Sequence, residues 1–154
     1  MTERHKPGVQ SRARAVARKL ALQALYQWQM NDAPWQDVCN AFRDDPDMER
    51  ADRAYFEELV RSVLEGAGEF DRSLATDLDR EPNALDPIEH AILLIGAYEL
   101  THRPDVPFRV VITEGVGLAK RFGATDGHKY VNAVLDRMAR RLRTAESGGS
   151  AANE

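Results

Sequence analysis

The sequence predicts an all-α protein, and three observations carry that expectation. Apolar residues recur with the 3.6-residue period of packed helices over most of the chain. No stretch alternates apolar and polar residues as a half-buried strand does. The interruptions fall at residues that start or stop helices: Pro34, Pro46, Gly66, Gly68, Asp86-Pro87, Pro104, Pro107 and Gly123.

Seven helical segments follow from this pattern. The first is expected from a Ser11 cap to about Met30, with Ala13, Ala17, Leu20, Ala21, Ala24, Leu25 and Trp28 on its inner stripe. Asp32 and Pro34 open a short second helix that ends near Phe42. Asp44-Asp45-Pro46-Asp47 reads as a loop, because proline disfavours helix in the residue before it. The third helix buries Tyr55, Phe56, Leu59, Val60, Val63 and Leu64. Gly66 and Gly68 mark a kink or break, and Phe70, Leu74 and Leu78 continue as a fourth helix.

The fifth helix opens with an Asp86 cap and Pro87 at its first position. Through about Leu100 it is apolar on nearly every side (Ile88, Ala91, Ile92, Leu93, Leu94, Ile95, Ala97, Tyr98), so it is expected to be buried all round and central. Val110-Val111-Ile112-Thr113 has strand propensity, yet Val111, Gly115, Leu118, Ala119 and Phe122 keep helical spacing. A sixth helix ending at Gly123 is therefore expected. The seventh starts near Asp126 and buries Val131, Val134, Leu135, Met138 and Leu142. Residues 1–10 read as a flexible basic arm, 11–143 as one helical domain and 144–154 as a disordered tail.

A chain of 154 residues can bury roughly 68–70% of its unfolded surface, so no disulfide or metal staple is needed. The single cysteine, Cys39, excludes an intrachain disulfide and fits a reducing compartment. No run approaches the ~20 apolar residues of a membrane span, and no signal peptide is apparent. A cytoplasmic protein without membrane contact is expected.

The net charge of −4 conceals a division. Residues 1–20 hold six bases against Glu3 alone, residues 31–90 hold 17 acids against six bases, and residues 91–154 hold nine bases against seven acids. An acidic body with basic ends is a polarised molecule; solubility accounts for any single charge, and the six-base cluster of residues 1–20 equally suits contact with a polyanion.

Spacing residues about 100° apart on the first helix puts Arg12, Lys19 and Tyr26 on one outward line, with Arg18, Leu22 and Gln23 beside it. Such charges suit phosphates, and a tyrosine ring is a surface on which an unpaired base can stack. Leu22 and Tyr26, spaced i and i+4, form an apolar patch fit for a protein partner, unless another helix covers Leu22. On the last helix, Asp126, Tyr130, Arg137 and Arg141 share a flank, with Lys129 and Arg140 adjacent. Asp126 has an ordinary role as a helix cap. Next to Lys129 and Tyr130 it is also able to accept from a base edge. Glu89 is the one acid in the first turn and a half of the apolar fifth helix, where an acid suits the helix N-terminus.

Catalytic chemistry finds no support. The four histidines are scattered, and neither HExxH, CxxC nor a P-loop occurs. Glu99-x-x-His102 has di-iron spacing without the second motif such a site needs. Cys39 reads as a small buried residue. No cofactor, metal or enzymatic activity is expected.

Arg18-x-x-Ala21-Leu22-Gln23-Ala24-Leu25-Tyr26 is similar to the first helix of the NusB family of bacterial transcription antitermination factors. Ala97-Tyr98-Glu99-Leu100, Arg103-Pro104-Asp105-Val106-Pro107, Val111-Ile112-x-Glu114, Leu118-Ala119-Lys120-Arg121-Phe122-Gly123 and His128-Lys129-Tyr130-Val131-Asn132-x-Val134-Leu135-Asp136 resemble its C-terminal half in order and spacing. The likeness runs from about Ser11 to Arg143. It implies seven helices in two small packed bundles. It also implies binding to single-stranded boxA RNA of ribosomal RNA leaders, a heterodimer with NusE, a small-subunit ribosomal protein, and association with elongating RNA polymerase. The matching RNA-contact positions are Arg14, Arg18, Asp126, Lys129 and Tyr130, and the matching partner positions are Tyr26 and Glu89.

Two departures stand out. Arg14-Ala15-Val16 replaces the consecutive arginines of many members, leaving Arg12 and Lys19 to substitute from neighbouring turns. Gly115 and Gly117 replace better helix formers, which costs about 1 kcal/mol each relative to alanine. Two other readings stay open: a helical protein–protein adaptor, and a stand-alone relative of the N-terminal domain of RNA cytosine methyltransferases. Whether the free chain forms a weak homodimer is also left open.

Overall fold

A computed structural model of the chain describes residues 7–144, with side chains from Gln10 onward. The described residues form six α-helices and no strand: α1 Pro7–Met30, α2 Trp35–Asn40, α3 Arg53–Ala75, α4 Pro87–His102, α5 Phe108–Phe122 and α6 Gly127–Leu142. The all-helical expectation holds. The count differs because the expected third and fourth helices are one: α3 passes through Gly66 with φ −117° and ψ 18°, a local departure from helical geometry rather than a stop. The Phe70 ring occupies the space a side chain at Gly66 would need, 2.9 Å from an ideal Cβ. The helix ends at Ala75, so Leu78 lies beyond it.

At the N-terminus, α1 begins at Pro7, a residue suited to the first helical position. Ser11 is therefore inside the helix rather than its cap, and residues 7–10 of the expected arm are helical. The remainder of that arm, residues 1–6, lies outside the described residues, as do residues 145–154 of the expected tail.

The chain divides into two compact units at Glu65 and Gly66. In the first, α1 buries Ala17, Leu20, Ala21, Leu22, Ala24 and Leu25. The same unit's core includes Phe42, Met48, Tyr55, Phe56, Leu59, Val60 and Val63, with the Phe42 and Phe56 rings 6.0 Å apart. The acidic loop is ordered by its own side chains. Asp45 Oδ1 accepts from Asp47 N at 2.8 Å and starts a 3-10 turn over Pro46–Arg50. Asp52 Oδ1 caps α3 by accepting from Tyr55 N at 3.0 Å, while Asp52 N donates to Ala13 O of α1. Cys39 is buried and its thiol is pushed up to about 11, first by burial and then by the Glu57 charge, which disfavours the reactive thiolate.

In the second unit, α4, α5 and α6 pack on one another. Every residue from Ala91 to Leu100 is buried, as the apolar run Ala91–Tyr98 requires, and Glu99 is buried with them. Asp86 Oδ1 accepts from Ile88 N and Glu89 N, with Pro87 at the first position, so this start was fully written in the sequence. The other end of α4 is closed by Arg143, whose guanidinium donates to the carbonyls of Leu100, Glu99 and Arg103 at 2.8–3.0 Å. The Phe70 ring meets Tyr98 edge-on at 6.0 Å.

The two departures in α5 have different causes. Gly115 is buried, and a Cβ there would fall 2.7 Å from Leu135 Cδ1 and 3.4 Å from Ile92 Cγ2, so its bareness lets α5 approach α4 and α6. At Gly117 a Cβ would meet nothing within 4 Å. Gly117→Ala should therefore raise stability by about 0.5–1 kcal/mol, since only helix propensity changes. Gly115→Ala should lower it by about 1–3 kcal/mol through overpacking. Urea unfolding of both variants checks this, and equal shifts of one sign would contradict it.

Candidate functional site

The basic cluster of α1 is less free than its helical rotation implies. Arg12 is exposed, as expected. The Arg14 guanidinium lies 4.5 Å over the Tyr55 ring, with its Nε 4.0 Å from Asp52 Oδ2. Arg18 is only 3% exposed and lies 5.5 Å over the same ring, so it does not flank an outward line. Its long stem is covered while its charge rests against an aromatic face. Lys19, expected among the outward bases, is an ion-pair partner of Asp47, which also accepts from Arg50 at 2.6 Å. These two cations, Lys19 foremost, hold the Asp47 carboxyl below the usual carboxylate range. The physical reason is the acidic loop: Asp45 and Asp52 fix its turns against α1, and the 3-10 turn delivers a carboxylate onto the face that periodicity leaves bare.

The expected Leu22–Tyr26 patch is also corrected. Leu22 is fully buried, because α1 is covered on more than one side around Ala21–Leu25. Tyr26 is 37% exposed and Met30, one turn further, is 56% exposed, so the apolar pair on the surface is Tyr26 and Met30. Met30 also lines a groove of about 360 Å³ with Trp28, Ala33, Asp37, Val38 and Ala41. Sequence reasoning missed Met30 because it stood at the expected end of the helix, where no stripe assigned it a side.

At the start of α6, Asp126 is the one non-glycine with positive φ among the described residues, at 67°. Aspartate tolerates this left-handed geometry, which turns the chain into α6. Its side chain makes no cap bond, so the capping role is not realised. Instead Lys129 Nζ lies 3.5 Å from Asp126 Oδ1 on the exposed surface. Tyr130 sits at the helix edge, half-buried, as its rotation implies. Its hydroxyl donates to Asp79 Oδ1 at 2.9 Å, and the Arg80 guanidinium lies 4.6 Å over its ring. Burial, then the Asp79 carboxylate, pushes the Tyr130 hydroxyl above its usual range, so it remains a donor. Arg137 and Arg141 lie on the same flank as Tyr130, facing the segment 73–79, but are engaged there. Arg137 donates to Asp77 O at 2.8 and 3.1 Å, and Arg141 to Asp77 Oδ2 and Ser73 O at 2.6 and 2.9 Å, closing the C-terminal end of α3.

Glu89 is 8% exposed. Its carboxylate lies against Gly127, where any side chain would overlap it, so Glu89 is tucked under the first residue of α6 rather than emerging at a surface. Missing from the sequence reading was the pairing of Glu89 with a glycine 38 positions away. Burial, reinforced by Asp86 and opposed by Arg80, raises its pKa from the ordinary 4.5.

No group of three or more histidine, cysteine, aspartate or glutamate side chains able to hold a metal occurs among the described residues, and no described helix is long and apolar enough to cross a membrane. The described residues are all-helical, with Arg14 and Arg18 over the Tyr55 ring near the start of α1 and with Lys129 and Tyr130 at the start of α6. Comparison with known proteins makes the assignment specific. The NusB family model matches residues 15–140, and the chain belongs to the NusB family. It is 48% identical to the transcription antitermination protein NusB of Marinobacter nauticus, over 95% of this chain and 90% of that protein. It is 52% identical to the one of Pseudomonas entomophila, over 88% and 82%. Among solved structures it is similar to T. maritima NusB, with TM-score 0.74, 26% identity and coverage of 82% and 89%. It also shares the fold of a complex of antitermination factors NusB and NusE with dsRNA, with TM-score 0.64, 23% identity and coverage of 82% and 96%. These relatives are named for a role in transcription, not for an enzymatic activity.

The Glu89 environment yields a pH-dependent outcome. Its folded pKa exceeds the unfolded one, so the neutral form favours the native state. That contribution is complete below the unfolded pKa and is lost as pH rises through the folded value. Relative to the wild type, Glu89→Gln should gain stability on going from acid to neutral pH, read by thermal melts across that range. A difference that stays flat with pH would contradict the burial effect.

Proposed function

We propose that this chain is a transcription antitermination factor that binds single-stranded boxA RNA of ribosomal RNA leaders together with NusE, and acts on elongating RNA polymerase in the cytoplasm. The observation that carries the proposal is identity near one half with NusB antitermination proteins over about nine-tenths of their length. The fold-sharing complex of NusB, NusE and dsRNA supports NusE and RNA as partner classes, while the preference for a single strand follows from the family resemblance. The exposed Lys129, next in sequence to the half-buried ring of Tyr130 at the start of α6, favours direct RNA contact over a purely protein-binding adaptor.

In this reading the RNA contacts come from exposed Arg12 and from Arg14 on α1, and from Asp126, Lys129 and Tyr130 at α6. Arg18 and Lys19 hold the basic segment in place, and an incoming phosphate competes with Asp47 for Lys19. Tyr26, with Met30 beside it, supplies the NusE contact. Leu22 and Glu89 act beneath the surface, shaping the helices that carry it.

Fluorescence titration with a boxA oligonucleotide, its duplex and a scrambled strand, with and without NusE, tests the whole proposal. Tighter binding of the single strand, improved by NusE, is expected. Equal binding of all three would overturn it. Tyr130→Phe should bind nearly as the wild type does, because the ring face remains. Tyr130→Ala should lose about one to two orders of magnitude, the value of one base–aromatic stack.

The partner contact has its own check. Tyr26→Ala should weaken NusE binding about tenfold or more in calorimetry, as loss of an exposed aromatic anchor does, with RNA binding by the isolated chain unchanged. Unaltered NusE affinity would remove Tyr26 from that interface.

A further inference from the structure

Two adjacent residues between α3 and α4, Asp79 and Arg80, have no part in the reading above, yet both engage Tyr130. Arg80 Nε and Nη2 donate to the two oxygens of Asp79 at 2.8 and 3.4 Å. The same guanidinium lies 4.6 Å over the Tyr130 ring, and the Tyr130 hydroxyl donates to Asp79 Oδ1 at 2.9 Å. A carboxylate, a cation and an aromatic ring thus close on one another at the helix edge. Both Asp79 and Arg80 are well exposed, with side-chain accessibilities of 66% and 49%. An ion pair so exposed contributes little to stability, so folding does not demand this arrangement and it is easily given up.

Each contact has the geometry of one that proteins make with nucleotides. A planar guanidinium lies on the ring as a stacked base does, and a carboxylate is held by the guanidinium as a phosphate is. We propose that Arg80 is a further RNA-contacting residue, and that Asp79 holds it closed over Tyr130 until a base takes the ring and a phosphate takes the guanidinium. Asp79 is then a built-in competitor of RNA: it neutralises a cation the RNA would use and places a negative charge beside the incoming backbone. The cationic partner keeps that carboxyl below its usual range, so the competitor is charged throughout neutral pH.

The inference rests on the reading of Tyr130 as a base-stacking residue, and the experiment separates the two. Binding of a single-stranded boxA oligonucleotide is measured for the full chain and for Asp79→Asn, Arg80→Ala and Tyr130→Ala over a range of salt. Thermal melts accompany each variant. Asp79→Asn keeps an acceptor for the tyrosine hydroxyl and removes the charge. It should bind about fivefold more tightly at low salt, the effect of one nearby charge in water, with the gain fading as salt rises. Arg80→Ala should bind more weakly and show a log K against log salt slope shallower by about 0.7, one phosphate contact fewer. A structural role alone moves the melting temperature without moving that slope. Asp79→Asn binding that is unchanged or weaker overturns the proposal, as does Arg80→Ala binding that is unchanged or tighter. If those results come while Tyr130→Ala still weakens RNA binding, only the Asp79–Arg80 inference falls. Should Tyr130→Ala bind as the wild type does, the stacking role falls and this inference falls with it.

Discussion

A helix with no polar side has to be covered on every side, and that constraint on α4 organises the second unit. Ten consecutive residues, Ala91–Leu100, are buried. Covering them requires α5 and α6 to come close, and Gly96 and Gly115 make the approach possible by leaving room for the Leu135 side chain. A helix buried along its length also needs its ends satisfied, since orphaned backbone groups away from water are costly. Asp86 closes one end and Arg143 the other. Placing the start of α4 under α6 then fixes Glu89 against Gly127, and with it the ground on which Asp126, Lys129 and Tyr130 stand.

What was legible in the sequence follows from this. The inner stripe of α6, the all-round apolarity of α4 and the Asp86-Pro87 start are local signals, each readable within one or two turns. The helical reading of residues 108–122 succeeded against the strand propensity of Val110–Thr113, because spacing over four turns outweighs four residues of local preference. The kink at Gly66 was visible, but whether a helix stops or resumes depends on how its neighbours pack. Phe70 over Gly66 is a tertiary fact in this sense.

The site was half legible, for a physical reason. Helical rotation tells which residues leave the core stripe, not which are left uncovered by loops and side chains from elsewhere. Tyr26, Arg12 and Tyr130 stand where rotation puts them. Lys19, Arg18, Arg137 and Arg141 do not serve as free cations, because Asp47, the Tyr55 ring, Asp77 and the end of α3 engage them. The division of charge along the chain is partly undone in space. Acids of the middle segment fold back onto bases of the ends, Asp47 onto Lys19 and Asp77 onto Arg141. Leu22 and Glu89 show the converse: positions expected at a surface are taken inward when packing covers them.

Cys39 carries one more consequence. The sole sulfhydryl of the chain belongs to the first unit and is buried, with its acidity suppressed, while the second unit has no thiol at all. Alkylation under native conditions therefore proceeds only through openings that expose that one sulfur. Its rate is a clock on the first unit alone, and amide exchange along α4 is a clock on the second. Together they give a chemical means to learn whether the kinked helix shared by the two units makes them open as one body or lets each open separately.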